Sequence, residues 1–427
     1  MYFFEKIGAT DHARVRPLWI IRCGVVSAHH LILASRSEGS DILLFPMFAS
    51  VIKKFRPGAT KALTYRSMPS AINHRERAME SIVAENEICE QLSSDLLQRF
   101  PGEQGCIETL IGGYREFART GITPASGYQA FRHLYWKTAG VSNDLIGKYI
   151  SSRFPKPLIP KSISSIFGNF NDADIRKIAS GLLQNGVYRL DQKLPMHAVQ
   201  ELIEGMDHEA AKNRGPDYCI QNADRTMYLE PELMKTPILT KIATDPLFYF
   251  VASEYLNAEP IIGYLTAWIS RPHANNQETL SQRAQLFHAD MSNPGFIKAF
   301  IYLNDVSETN GPHCVVPNTH REKAAPLWKE GRIDDEEMAA HYAKETWQVQ
   351  TGGAGSVFFV DTSGFHKGIP LIEGYRQLVQ FYYVNTLFGE YVPLEKGSPS
   401  FDPWRYGSDI RDHTPRFFAR HAIGAES

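Results

Sequence analysis

Four runs in the second half of the chain constrain its fold most: "IIGYLTAWIS" (261–270), "GFIKAFIYLNDV" (295–306), "GSVFFV" (355–360) and "RQLVQFYYVNT" (376–386). Each is crowded with β-branched and aromatic residues, and turn pairs such as Asn310-Gly311 and Gly352-Gly353 separate them. Strands in quick succession, with helical patterns mostly in front of them, predict an α+β chain whose C-terminal part is a jelly-roll or cupin-like barrel with flanking helices. "TGGAGS" lacks the lysine of a phosphate-binding loop and precedes a strand, so it is expected to be a turn.

The first part of the chain is different. "AMESIVAENEICEQLSSDLLQRF" repeats apolar residues at helical spacing until Pro101-Gly102, so residues 1–165 are expected to form a mainly helical domain of unknown role. Prolines at 155, 157 and 160 place a boundary before a barrel domain spanning 166–427. After it, "NDADIRKIASGLLQNGVYRLDQKLPMHAVQELIEGM" predicts a capped helix ending near Asn185-Gly186, a short strand and a second helix. "ELMKTPILTKIATDPLFYFVASEYL" predicts an amphipathic helix.

A net charge of -2 gives no basic field for nucleic acid or anionic lipid, and the apolar patch "PLWIIRCGVV" is interrupted by Arg22 and too short to span a membrane. The five cysteines include no CxxC pair, which fits reduced thiols in a cytoplasmic protein.

Within the strands, "LFHADMSNPG" sets His288 and Asp290 two residues apart, on one face of an extended segment. Spacing alone says little: with 15 histidines about one such match is expected by chance, and "HRE" occurs at His74 and His320. The segment "GSVFFVDTSGFHKGIPLIEGYRQ" adds His366 after a strand and Arg376 at the start of the next. A symmetric hairpin between them would make 366 and 376 cross-strand neighbours. Two histidines and one carboxylate on one side of an octahedral ion leave three positions open, as in non-haem Fe(II) oxygenases. A planar guanidinium beside them suits the distal carboxylate of 2-oxoglutarate.

"FHADMSNPGFIKAFIYLNDVSETNGPHCVVPNTHR", followed by "GSVFFVDTSGFHKGIPLIEGYRQ", resembles the phytanoyl-CoA dioxygenase-like family of Fe(II)/2-oxoglutarate oxygenases, from about residue 172 to 390. The resemblance implies a double-stranded β-helix, with His288, Asp290 and His366 as catalytic metal ligands and Arg376 as the cosubstrate anchor. It implies Fe(II), 2-oxoglutarate and O2 as cofactors, and a dioxygenase that oxidises a C-H bond of a small molecule, free or carrier-bound, with release of succinate and CO2. Halogenating relatives carry a small residue in place of the acid; Asp290 favours hydroxylation.

Lys298 and Tyr264 are further candidate cofactor contacts, and Trp268, Arg271 and Phe300 candidate substrate contacts. Each has an ordinary alternative. Lys298 shares a strand face with Phe300 and Tyr302, and points outward into solvent if that face is the outer one. Tyr264 and Trp268 alternate along one strand and could be plain core. Arg271 and His273 fall in a polar loop that would serve as a lid or simply be solvated. His313 and His320 flank "CVVPNT" as expected hydrogen-bonded scaffold residues. Two rivals remain open: a cupin-like metalloenzyme without a 2-oxo acid, and a non-catalytic binding protein on the same barrel.

Overall fold

Short apolar runs such as "WIIRC" and "HLILA" are too brief for a helix, and they form strands: β1 (Tyr2–Lys6), β2 (Trp19–Cys23) and β3 (His30–Ala34) pair antiparallel in that order. The computed structural model describes residues 2–6, 19–23, 30–34, 79–206, 225–228, 230–233, 236–272, 280–281, 284–390 and 415–420. Two compact units divide the chain, Met1–Met68 and Pro69–Ser427.

The second unit begins with helices: α1 (Cys89–Arg99), α2 (Gln104–Thr120), α3 (Ala125–Lys137) and α4 (Val141–Arg153). A Cβ added to Gly113 of α2 would meet the Cα of Gly127 in α3 at 2.6 Å, so these two helices cross backbone against backbone. Their apolar faces, including Leu96, Tyr114, Phe117 and Phe131, share one core with Ala258, Met291 and Phe388 from far downstream. That shared core explains why the units separate at 68/69 and not at 165/166. Residues 155–162, with their three prolines, lack regular structure as predicted, but they connect parts of one unit.

A hairpin of β4 (Ile163–Ser165) and β5 (Gly168–Phe170) leads into α5 (Asp172–Asn185). This helix starts in a capping box between Asn171 and Asp174 and stops at Gly186, whose φ of 74° is left-handed. Then come β6 (Val187–Lys193), α6 (Met196–Gly205) and β7 (Arg225–Tyr228). The amphipathic helix expected next is two helices, α7 (Pro237–Ala243) and α8 (Pro246–Leu256). Pro246 cannot continue the first, and Asp245 caps the second through the Leu247 amide at 2.9 Å. Residues 247–253 are all buried, so α8 has no wet face.

The remaining strands are β8 (Ile261–Ser270), β9 (Phe296–Tyr302), β10 (His313–Val315), β11 (Gln348–Gln350), β12 (Ser356–Val360), β13 (His366–Gly368) and β14 (Arg376–Val384). They build a six-stranded antiparallel sheet, β6-β12-β9-β14-β8-β7, and a smaller one, β11-β10-β13, which the bridge His288–His366 extends. The α+β class and antiparallel strands follow the expectation; the ladders remain two sheets and do not close into one barrel.

Alternation sorts the large sheet's side chains. Ile297, Ala299, Ile301, Phe359 and Val379 face helices α5 and α8 in the main core. Phe300, Tyr302, Phe358 and Leu378 point the other way and meet Val315 of the small sheet. The space between the two sheets is where polar side chains gather. No helix among the described residues is long and apolar enough to cross a membrane.

Candidate metal and anion site

The facing sheets enclose a cavity of about 170 Å³. His288 and His366 lie opposite each other across an isolated antiparallel bridge, with backbone hydrogen bonds of 3.1 and 3.0 Å in the two directions. Asp290 follows two residues after His288, its amide donating to the Thr362 carbonyl at 2.8 Å. One ligand atom from each of His288, Asp290 and His366 falls within 4.8 Å of the others. The Nε2 atoms of the two histidines stand 3.8 and 3.6 Å from the Asp290 oxygens. Each histidine uses its Nδ1 against a nearby carbonyl, Leu286 or Gly364, at 3.0 Å. A proton held there leaves Nε2 as a lone-pair donor, the arrangement a metal requires.

Lys298 reaches in from β9 and donates to Asp290 Oδ2 at 2.7 Å. Its side chain is only 8% exposed, so the solvated alternative for Lys298 does not hold: the strand face it shares with Phe300 is the inner one. Burial alone would raise the Asp290 carboxyl; Lys298, then the two imidazoles, outweigh it and hold the group far below the usual carboxylate range. Burial would likewise lower the Lys298 ammonium, and Asp290 reverses that. Burial, helped by His366, pushes His288 down to about 3, so its imidazole is neutral at ordinary pH.

Arg376 enters from the first residue of β14, paired with Ser270 of β8. The predicted 366–376 hairpin does not form. His366 pairs with Val315 in the small sheet while Arg376 begins a strand of the large one, so the two meet across the cavity and not along a ladder. The segment between them, 369–375, carries the chain from one sheet to the other. The guanidinium is buried, donates to the Gly311 carbonyl, keeps Nε without a partner, and has no carboxylate partner among the described residues.

Trp268, Arg271 and Phe300 line the cavity, with Arg271 held by Thr226 Oγ1 at 3.1 Å. Tyr264 does not line it: its ring stacks on Tyr382 at 4.5 Å, and it meets the site through the charges of Lys298 and Asp290 and a hydrogen bond with Gln380. His273 lies outside the described residues. His320 is the scaffold residue expected, its Nε2 3.3 Å from the Leu183 carbonyl. His313 is not: its ring faces the cavity and its Nε2 has no partner. Sequence reasoning also passed over Leu378 and Gln380, although both alternate with Arg376 along β14 and so had to share its face.

Residues 184–370 match the model of the phytanoyl-CoA dioxygenase family. The similarity to that family is confined to this stretch of the chain. The matched stretch contains all three clustered ligand residues and ends just before Arg376. No curated protein sequence matches the chain. Among solved structures, it is similar to HygX from Streptomyces hygroscopicus with nickel, 2-oxoglutarate and hygromycin B bound, at 15% identity and a TM-score of 0.38 over 52% of this chain and 91% of that one. AviO1 from Streptomyces viridochromogenes Tue57 gives 17% and 0.36 over 50% and 96%. The 2-oxoglutarate-dependent epimerase SnoN from nogalamycin biosynthesis gives 15% and 0.37 over 50% and 84%.

Proposed function

We propose that this phytanoyl-CoA dioxygenase-like chain is an Fe(II)- and 2-oxoglutarate-dependent dioxygenase that hydroxylates a C-H bond of a small molecule, free or carrier-bound, in the cytoplasm. One observation carries it: a single cavity holds a His-Asp-His cluster and, on the facing sheet, a buried arginine without a carboxylate. His288, Asp290 and His366 would hold the iron on one side, leaving room for a bidentate 2-oxo acid and dioxygen. Arg376 offers its fork to the distal carboxylate. The two facing sheets support reading residues 166–427 as the double-stranded β-helix of such enzymes, the part that would carry the chemistry. That chemistry is the oxidative decarboxylation of 2-oxoglutarate to succinate and CO2, coupled to oxidation of the substrate.

The protein's own residues prepare the site. Lys298 fixes one oxygen of Asp290 and so turns the carboxylate toward the two imidazoles. Trp268, Phe300 and Arg271 form the substrate-side wall, apolar rings with a cation at the edge. Asp290 keeps its place in the donor set, which supports hydroxylation over halogenation.

Anaerobic titration of the metal-free protein with Fe(II) and then 2-oxoglutarate tests the assignment. The expected result is the visible charge-transfer absorption of the chelate, lost in His366→Ala and shifted to much higher 2-oxoglutarate in Arg376→Ala. A folded, metal-bound protein that shows no such band, and no 2-oxoglutarate-dependent succinate release, would overturn it in favour of a metalloenzyme without a 2-oxo acid.

A further inference from the structure

His313 is buried on β10 among other rings. Phe300 stands 5.1 Å away, Phe358 5.7 Å and His366 5.4 Å, centroid to centroid. Its backbone N-H is committed to the Tyr302 hydroxyl at 3.1 Å. What remains is the cavity: His313 is among the residues that line it, and its buried Nε2 has no partner among the described residues. A buried polar atom left unpaired costs free energy comparable to a lost hydrogen bond, so such an atom on a cavity-lining side chain points to a ligand's polar group beside it.

The strand register says which ligand. His313 is opposite Gly368 across the β10–β13 ladder, and a Cβ built on Gly368 would lie 3.5 Å from the Arg376 guanidinium. Its ring also stacks on His366, two residues from Gly368 on the same strand. The imidazole therefore neighbours both His366 of the cluster and the strand position beside Arg376, in the one cavity where a 2-oxo acid bound to both would lie. Resting on the function proposed above, we infer that His313 is a third contact for the cosubstrate, its Nε2-H donating to a carboxylate oxygen of the 2-oxo dicarboxylate.

The test is calorimetric titration of 2-oxoglutarate into the full-length protein loaded with Ni(II), which does not turn over. The variants are His313→Leu, His313→Gln and Arg376→Ala, with Ni(II) affinity and thermal midpoint measured for each. Deleting one charge-assisted hydrogen bond should weaken 2-oxoglutarate binding roughly tenfold in His313→Leu. His313→Gln, which keeps an N-H donor, should recover part of the loss. Ni(II) affinity should stay within about twofold of wild type in both. If Arg376→Ala weakens binding and His313→Leu does not, His313 is not a cosubstrate contact and the proposed function stands. If His313→Leu and His313→Gln lose Ni(II) affinity in step with 2-oxoglutarate affinity, the residue supports the metal cluster and the inference falls. If wild type does not bind 2-oxoglutarate, the proposed function and this inference fall together.

Discussion

Asp290 is held by a lysine eight residues further along the chain, and that pairing has a measurable signature. Lys298→Met leaves a carboxylate only a quarter exposed without its counter-charge, at a cost of about 1–3 kcal/mol. A divalent metal at the cluster supplies that charge. Added Ni(II) should therefore raise the thermal midpoint of Lys298→Met by more than it raises that of wild type; equal shifts would mean that Asp290 is not a ligand. A second lysine gives a pH prediction. Lys323 is buried, donates to Tyr135 Oη and the Thr319 carbonyl at 2.8 Å each, and lies 4.7 Å from the Trp328 ring centre. Burial pushes its ammonium down to about 7 from 10.5. Between those values the unfolded chain binds the proton and the folded one does not, so stability rises with pH across that window by up to about 1.4 kcal/mol per unit. It is lost again as pH falls toward 7, and is flat below. Urea unfolding at pH 7.5 and 9 should show this rise in wild type and a smaller one in Lys323→Met.

At the scale of elements, β8 and β14 are held in register by a bulge at which Gly263 and Tyr264 together oppose Tyr382. A Cβ on Gly263 would stand 2.4 Å from the Tyr382 ring. Gly263→Ala should therefore cost about 1–3 kcal/mol in urea unfolding, against about 1 kcal/mol for removing the α5 cap in Asn171→Ala. A smaller loss at Gly263 than at Asn171 would mean that the ring moves aside freely. These two sites also mark what could be read from the sequence. Helix α5, its cap and its glycine stop were legible because every signal lies within a few residues of its effect. So was the His288/Asp290 pair, since alternation along a strand is local. The 366–376 hairpin was misjudged because the linking segment does not record that it crosses between sheets. The burial of Lys298 and the open face of His313 depend on strand pairings 50 or more residues apart in the chain.

A buried ion pair joins distant parts of the second unit. Arg416 Nη2 donates to Glu85 Oε1 at 2.6 Å and to the Asn385 carbonyl at 2.8 Å. Tyr114 and Thr386 donate to Glu85 Oε2 at 2.7 and 2.6 Å. The helices, the end of β14 and residues 415–420 thus meet at a single carboxylate. Arg416→Met strands that charge and should cost about 3–5 kcal/mol, and Glu85→Gln added to it should recover part of the loss. Denaturation of the single and double variants measures both; additive losses would show that the pair is not coupled.

The way the helices grip the site loop reaches further. Tyr128 of α3 donates to the Met291 carbonyl at 3.0 Å, and Asn143 of α4 reaches the Pro294 carbonyl at 3.2 Å. Both anchor points lie within four residues of Asp290. The stretch that can be recognised by likeness, 184–370, is therefore not a portable part. Excised on its own, it would keep His288, Asp290 and His366 and lose the helix contacts that hold the loop after Asp290, together with the cover over Met291. Moving the cluster onto another scaffold means moving the helices as well, and substitutions at Tyr128 or Asn143 are a way to retune the loop without touching His288, Asp290 or His366.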